Sequence, residues 1–221
     1  MKKNSFTTNT TIHIQPKTYN QELLLKAIRE SAMIVATGPA GTGKTYCAVN
    51  SACNLLLSGK AKSVVLTRPN ISTGRSLGFF PGTIAEKLEP WLAPMISEFK
   101  DRLGKGNYEA KLGSGAIQIQ PLETIRGASF TDTVVLIDEA QNLTYEELKA
   151  VSTRLGEGST MVFMGDPQQR DQRESGLVVF KSIIKKYQLP IPVIEFTIDD
   201  IVRSDLVGQL VKTFMQYEGV V

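Results

Sequence analysis

One histidine, two cysteines and one tryptophan are all that 221 residues supply of three residue types on which much site chemistry depends. His13 stands alone in an N-terminal segment, so a histidine base would rest on that one residue, and a zinc site has too few ligands to draw on. Cys47 and Cys53 read as small apolar residues of a helix rather than as a disulfide framework, which suits a reducing cytoplasm. Long hydrophobic runs are missing as well: nothing approaches the roughly 20 apolar residues of a membrane span. The opening "MKKNSFTTNT" carries lysines with no hydrophobic stretch behind them, so a soluble, cytoplasmic protein without a membrane partner is expected. Charge of one sign is also scarce. Twenty-five Lys plus Arg against 22 Asp plus Glu leave +3, which permits contact with nucleic acid without arguing for it.

What is present is an ordinary globular balance, 42% hydrophobic and 21% charged, enough for one domain over 1–221 with a full core. Short apolar runs recur as "AMIVAT" (32–37), "SVVLTR" (63–68), "AIQIQ" (116–120), "TVVLID" (133–138), "TMVFMGD" (160–166) and "IPVIEF" (191–196). Several are nearly continuous in apolar residues, as strands covered on both faces must be, and the gaps leave room for crossover helices. The expected fold is α/β with a mostly parallel sheet flanked by helices. Helical spacing is found in 20–30, 45–59, 144–156 and 204–218, with a capping-box pair at Thr144 and Glu147 and glycines at 59 and 156 where helices should stop. Residues 70–115, with "SLGFFPG", prolines on both sides of Trp91 and a glycine-rich patch, read as an irregular insertion with broken helices.

The chemistry begins at Gly38, Pro39, Ala40, Gly41, Thr42, Gly43, Lys44 and Thr45, a match to G-x-x-x-x-G-K-[ST] between an apolar run and a helical one. Such a loop curls backbone N–H groups around phosphate oxygens at a helix N-terminus, while the Lys44 ammonium reaches the β and γ phosphates and the Thr45 hydroxyl ligates Mg²⁺. A glycine turn that binds nothing is the plain alternative. A dinucleotide fingerprint fails, because Tyr46 occupies the position of its last glycine. Downstream, "TVVLIDEAQ" offers Asp138 for the metal shell and Glu139 to polarise an attacking water, against the plain reading of two acids at a strand end. "MGDPQQRD" adds Asp166, Gln168 and Gln169 at the sheet edge, with Gln168 the candidate γ-phosphate sensor and an Asp-Pro turn the alternative.

Together "GPAGTGKTY", "LTRP", "LGFFPG", "IRGASF", "LIDEAQN", "TRLGEGS", "MGDPQQRD" and "DDIVRSDLV" resemble the PhoH-like ATPases, relatives of superfamily 1 helicases, from about Asn20 to Glu218. The resemblance implies a RecA-like P-loop NTPase core, ATP hydrolysis with Mg²⁺, a link to RNA metabolism, and assembly of identical chains into hexameric rings. By the same resemblance Gln21 matches a glutamine that reads the adenine edge; a surface-helix glutamine is the other reading. Tyr46 is either a base-stacking residue or a core aromatic. The chain has room for one such core, and no second core, KH module or PIN nuclease domain is evident in it. A neighbouring subunit is therefore the expected source of the arginine that completes the site, with Arg154, Arg173 and Arg203 as candidates and Arg203 preferred, as a trans or sensor arginine.

Two functions of different class follow. The first is an ATPase that moves on or remodels RNA or single-stranded DNA, with Arg68, Arg75, Lys87 and Trp91 as candidate strand contacts. The second is a nucleotide-gated interaction module without motor activity. A small-molecule kinase fits less well, since Glu139 places a water-activating acid where a kinase must exclude water.

Overall fold

Along each long strand, alternate side chains serve two different cores. Ile34, Ala36, Val64, Leu66, Val134, Leu136, Val162 and Met164 pack on one face, while Val35, Val65, Val135, Ile137, Met161 and Phe163 pack on the other. Period-2 alternation with both faces apolar is what a doubly covered parallel sheet demands. A computed structural model of the protein describes residues 13–69, 88–125, 127, 129–169, 175–203 and 205–217. Their elements are α1 (Tyr19–Glu30), β1 (Met33–Thr37), α2 (Lys44–Leu57), β2 (Ser63–Thr67), α3 (Ala93–Leu103), α4 (Lys105–Gly113), β3 (Ile117–Ile119), α5 (Leu122–Ile125), β4 (Thr133–Ile137), α6 (Tyr145–Ser152), β5 (Thr160–Gly165), α7 (Gly176–Lys186), β6 (Val193–Glu195) and α8 (Asp205–Tyr217). Short 3₁₀ turns lie at Glu89–Leu92, Ala140–Asn142 and Ile198–Asp200.

The strands form a six-stranded parallel sheet in the order β3-β2-β4-β5-β1-β6. The chain runs from β1 out to β2 and β3, then returns through β4 and β5 to β6 at the far edge. Right-handed crossovers in opposite directions place their helices on opposite faces. Accordingly α2, α3 and α4 contribute Cys47, Met95 and Tyr108 to one core, and α5, α6 and α7 contribute Leu122, Val151 and Phe180 to the other. β1 and β5 are neighbours whose exits turn to opposite faces. A crevice opens between them at the carboxyl edge, where ligands of open α/β sheets sit.

One expectation needs correction, at Gly156. Residues 93–113 hold two helices, α3 and α4, separated at Gly104 (φ 76), and α3 buries Met95, Ile96 and Phe99 against the core. The "LGFFPG" stretch and the rest of 70–87 lie outside the described residues. Gly156 is not a helix stop, since α6 ends at Ser152; a Cβ at Gly156 would lie 2.0 Å from the Phe130 carbonyl oxygen, so glycine is required there by space. Gly59 does follow α2 with φ 73, and Thr144 and Glu147 do form a reciprocal capping box at the start of α6. Cys47 and Cys53 are free and fully buried in α2, and burial pushes both thiols up to about 12. Among the described residues no helix is long and apolar enough to cross a membrane.

Candidate nucleotide site

The loop between β1 and α2 has its shape fixed by its neighbours. Gly38 (φ 139) leaves β1 so close to β6 that a Cβ would lie 2.2 Å from the Phe196 carbonyl oxygen. Gly43 (φ 85) starts α2 with no side-chain cap, and a Cβ there would lie 2.6 Å from Gln21 Nε2. The first-turn N–H groups of α2 thus face the crevice without a capping side chain, as an anion site requires. Gln21, 2% exposed, donates from Nε2 to the Thr42 carbonyl at 3.0 Å and accepts from the Lys17 backbone N–H at 2.8 Å. It is therefore not a solvated surface glutamine but a strut under the loop.

Lys44 folds over the same loop, its Nζ donating to the carbonyls of Gly38 (2.6 Å) and Pro39 (2.8 Å). Burial holds its ammonium below the usual lysine range, while Asp166, Asp138 and Glu139 pull it back up. Burial raises Asp138 above the usual carboxylate range and the Glu139 charge adds to this, against the Glu139 backbone, Arg68 and Lys44. Burial raises Asp166 as well, opposed by the Gln168 backbone N–H, which donates to Oδ1 at 3.0 Å, and by Lys44. One buried ammonium and three acids therefore converge. They line a cleft of about 320 Å³ that also takes in Ala40, Gly41, Gly43, Thr45, Tyr46, Pro94, Gly165, Gln169 and Arg203.

Most of the residues singled out in the sequence meet here. Thr45 and Tyr46 face the cleft, and the half-buried Tyr46 has its hydroxyl held by Arg102 Nη2 at 2.6 Å, with that guanidinium 5.1 Å from its ring centre. Pro39 is part of the loop but lines a second cleft, of about 370 Å³, with Gln168. Gln168 lines that second cleft, with Gly38 and Asp166, and the next residue, Gln169, lines the first. Arg203 lies over the loop of its own chain: a Cβ on Gly41 would lie 2.7 Å from its Nε, and the Val202 N–H donates to the Gly41 carbonyl at 3.0 Å. Arg154 is exposed and follows α6, ahead of β5 and so at the opposite edge of the sheet. Arg173, Arg75 and Lys87 lie outside the described residues. Arg68 donates from Nη1 to the Trp91 carbonyl at 2.9 Å and stacks 5.2 Å from its ring centre, and Trp91 is 46% exposed.

Sequence reasoning missed Gln141 and Arg102. Gln141 is 1% exposed and hydrogen-bonded to Glu139. Its only signal was an amide two residues past Glu139. Arg102 reaches Tyr46 from α3, a contact that no local pattern announces.

A parallel sheet with a glycine loop at its switch point, an acidic pair just past the end of β4 and a single strand, β5, between loop strand and acid strand defines a RecA-like P-loop core. The large terminase of a thermophilic bacteriophage shares this fold, with a TM-score of 0.58 and 13% identity over 91% of this chain and 50% of that one. The UvsW helicase of bacteriophage T4 gives 0.51 and 10% identity over 83% of this chain and 61% of that one. A family model described as PhoH-like protein matches residues 13–215, and the chain belongs to this family. A PhoH-like protein of Bacillus subtilis (strain 168) is 40% identical over 204 residues, 91% of this chain and 64% of the relative. One of Mycobacterium bovis is 38% identical over 208 residues, 93% and 59%, and protein PhoH of Escherichia coli (strain K12) is 34% identical over 186 residues, 82% and 52%. The chain spans roughly three fifths of the length of the first two relatives.

Proposed function

We propose that this chain is a Mg²⁺-dependent ATPase that works on RNA or single-stranded DNA as a ring of identical subunits, a hexamer, in the cytoplasm. The observation that carries the reading is the convergence of Lys44, Thr45, Asp138 and Glu139 on one cleft at the switch point. The fit to a triphosphate rests on loop glycines whose places no side chain could take, an uncapped helix start and a buried ammonium among acids. Magnesium, held by Thr45 and Asp138 together with phosphate oxygens, would neutralise charge on those oxygens. Lys44 exchanges loop carbonyls for phosphate oxygens, Glu139 orients a water and takes its proton, and Gln169 or Gln168 senses the γ phosphate. Arg203 supports the sensor role from within its own subunit. Gln21 still has a second amide hydrogen and lone pair for an adenine edge, and Tyr46 offers a fixed ring for the base.

The strand-binding part is supported by the exposed Trp91 ring with Arg68 stacked on it, an aromatic and a cation of the kind that hold bases and phosphates. The gated-module reading is favoured by a different observation. α8 starts two residues after Arg203 and exposes Leu206, Leu210, Phe214 and Tyr217 along one stripe, so a partner surface sits next to the nucleotide loop. Turnover of ATP by the purified protein, with and without RNA or single-stranded DNA, separates the two. Stimulation of tenfold or more, on the order of one 1.4 kcal/mol step, is expected for the motor; indifference to every strand would leave the module.

A further inference from the structure

The acid at position 139 does not stand free. Glu139 occupies the left-handed region (φ 51, ψ 35), and the 3₁₀ turn at Ala140–Asn142 carries the chain back so that Gln141 faces it. The Gln141 amide then makes three contacts at once. Nε2 donates to Glu139 Oε2 at 2.5 Å and to the Gln169 carbonyl at 3.4 Å, and Oε1 accepts the Asp166 backbone N–H at 3.1 Å. A second observation agrees. Gly165, where β5 ends, has no positive φ, yet a Cβ there would lie 2.5 Å from Gln141 Oε1 and 2.9 Å from its backbone nitrogen. The residue before Asp166 is glycine because this amide fills the space.

From this geometry we infer that Gln141 is the positioning residue of the hydrolytic site: its amide holds the Glu139 carboxylate in line and ties it to the 166–169 turn, so that movement of the turn moves the carboxylate. The inference rests on the ATPase reading above. A buried amide with both hydrogens and its oxygen engaged has no freedom to turn without leaving a polar group unpaired, so the turn and the acid shift together. Gln141 touches neither phosphate nor water in this account; it acts through Glu139.

The experiment is steady-state MgATP turnover of the full chain, with ADP affinity measured in parallel. Gln141→Leu keeps the bulk and removes all three contacts. Its kcat should fall about 10- to 100-fold, the usual cost of losing a partner that orients a functional group, with KM and ADP affinity within about twofold of wild type. In a Glu139→Gln background the same change should cost nothing further, because its route is already cut. Gln141→Glu, which keeps an acceptor for the Asp166 N–H but offers no hydrogen to Glu139, should also lose kcat, and it carries the test if the leucine variant does not fold. Gly165→Ala, which displaces the amide without deleting it, should act in the same direction. An unchanged kcat in Gln141→Leu, or a loss that multiplies in the Glu139→Gln background as an independent packing defect would, overturns the inference. A wild type that binds ATP but never hydrolyses it overturns the ATPase reading and this inference together, whereas a wild type that turns over and a Gln141 variant that matches it sinks the inference alone.

Discussion

On the proposed reading Lys44 serves nucleotide binding and Glu139 the chemistry, and single substitutions should separate the two. Lys44→Ala removes the charge that faces phosphate and also the donor that holds the Gly38 and Pro39 carbonyls, so both nucleotide affinity and turnover should be lost. Glu139→Gln keeps the shape and gives up the base. Its expected signature is ATP affinity close to wild type with turnover slowed by about 10²- to 10⁴-fold, the usual contribution of a positioned base. A titration with a fluorescent nucleotide beside a phosphate-release assay checks both, and comparable turnover in wild type and Glu139→Gln would remove Glu139 from the role.

At the scale of elements, α6 offers a stability test that leaves the site alone. Thr144 Oγ1 accepts from the Glu147 N–H at 3.2 Å and Glu147 Oε2 accepts from the Thr144 N–H at 3.0 Å. Thr144→Ala should cost about 1 kcal/mol and lower Tm by about 2–4 °C in a domain of this size, with kcat unchanged, as thermal melts and turnover would show. This capping box was legible in the sequence because it is local, a side chain reaching three residues along. The strands were legible for a related reason: residues buried on both faces leave an unbroken apolar run, as "TVVLI" in β4 does. Glycine 156 misled because a helix stop and a close approach to Phe130 leave the same letter. Which of Gln168 and Gln169 lines which cleft was not legible, because a turn after a strand has no period to fix where each of two neighbours points. Gln141 and Arg102 were invisible because their roles are contacts made by the folded chain.

Across the whole molecule, the placement of Arg203 changes what subunit mixing should reveal. With its side chain over Gly41 of the same chain, Arg203→Ala should slow turnover, and mixing it with Glu139→Gln subunits should restore nothing, since each mutant chain carries its own defect. Recovery in the mixture would show that Arg203 reaches a neighbour. The same mixture made with Arg154→Ala, whose arginine lies at the opposite edge of the sheet, tests whether another subunit's site uses that side chain, and a dependence of turnover per subunit on protein concentration checks for assembly itself. The strand order has one more effect, on how the chain is made. β1 leaves the ribosome first of the six, yet its partners are β5 and β6, the last two. At ordinary elongation rates the interval before β5 follows is on the order of ten seconds. Throughout it "MIVAT" has neither of its sheet partners. The strand that bears the nucleotide loop is thus the one most dependent on a chaperone or on early helix contacts during synthesis, and slowing translation between residues 37 and 160 should lower the yield of folded protein more than slowing it elsewhere.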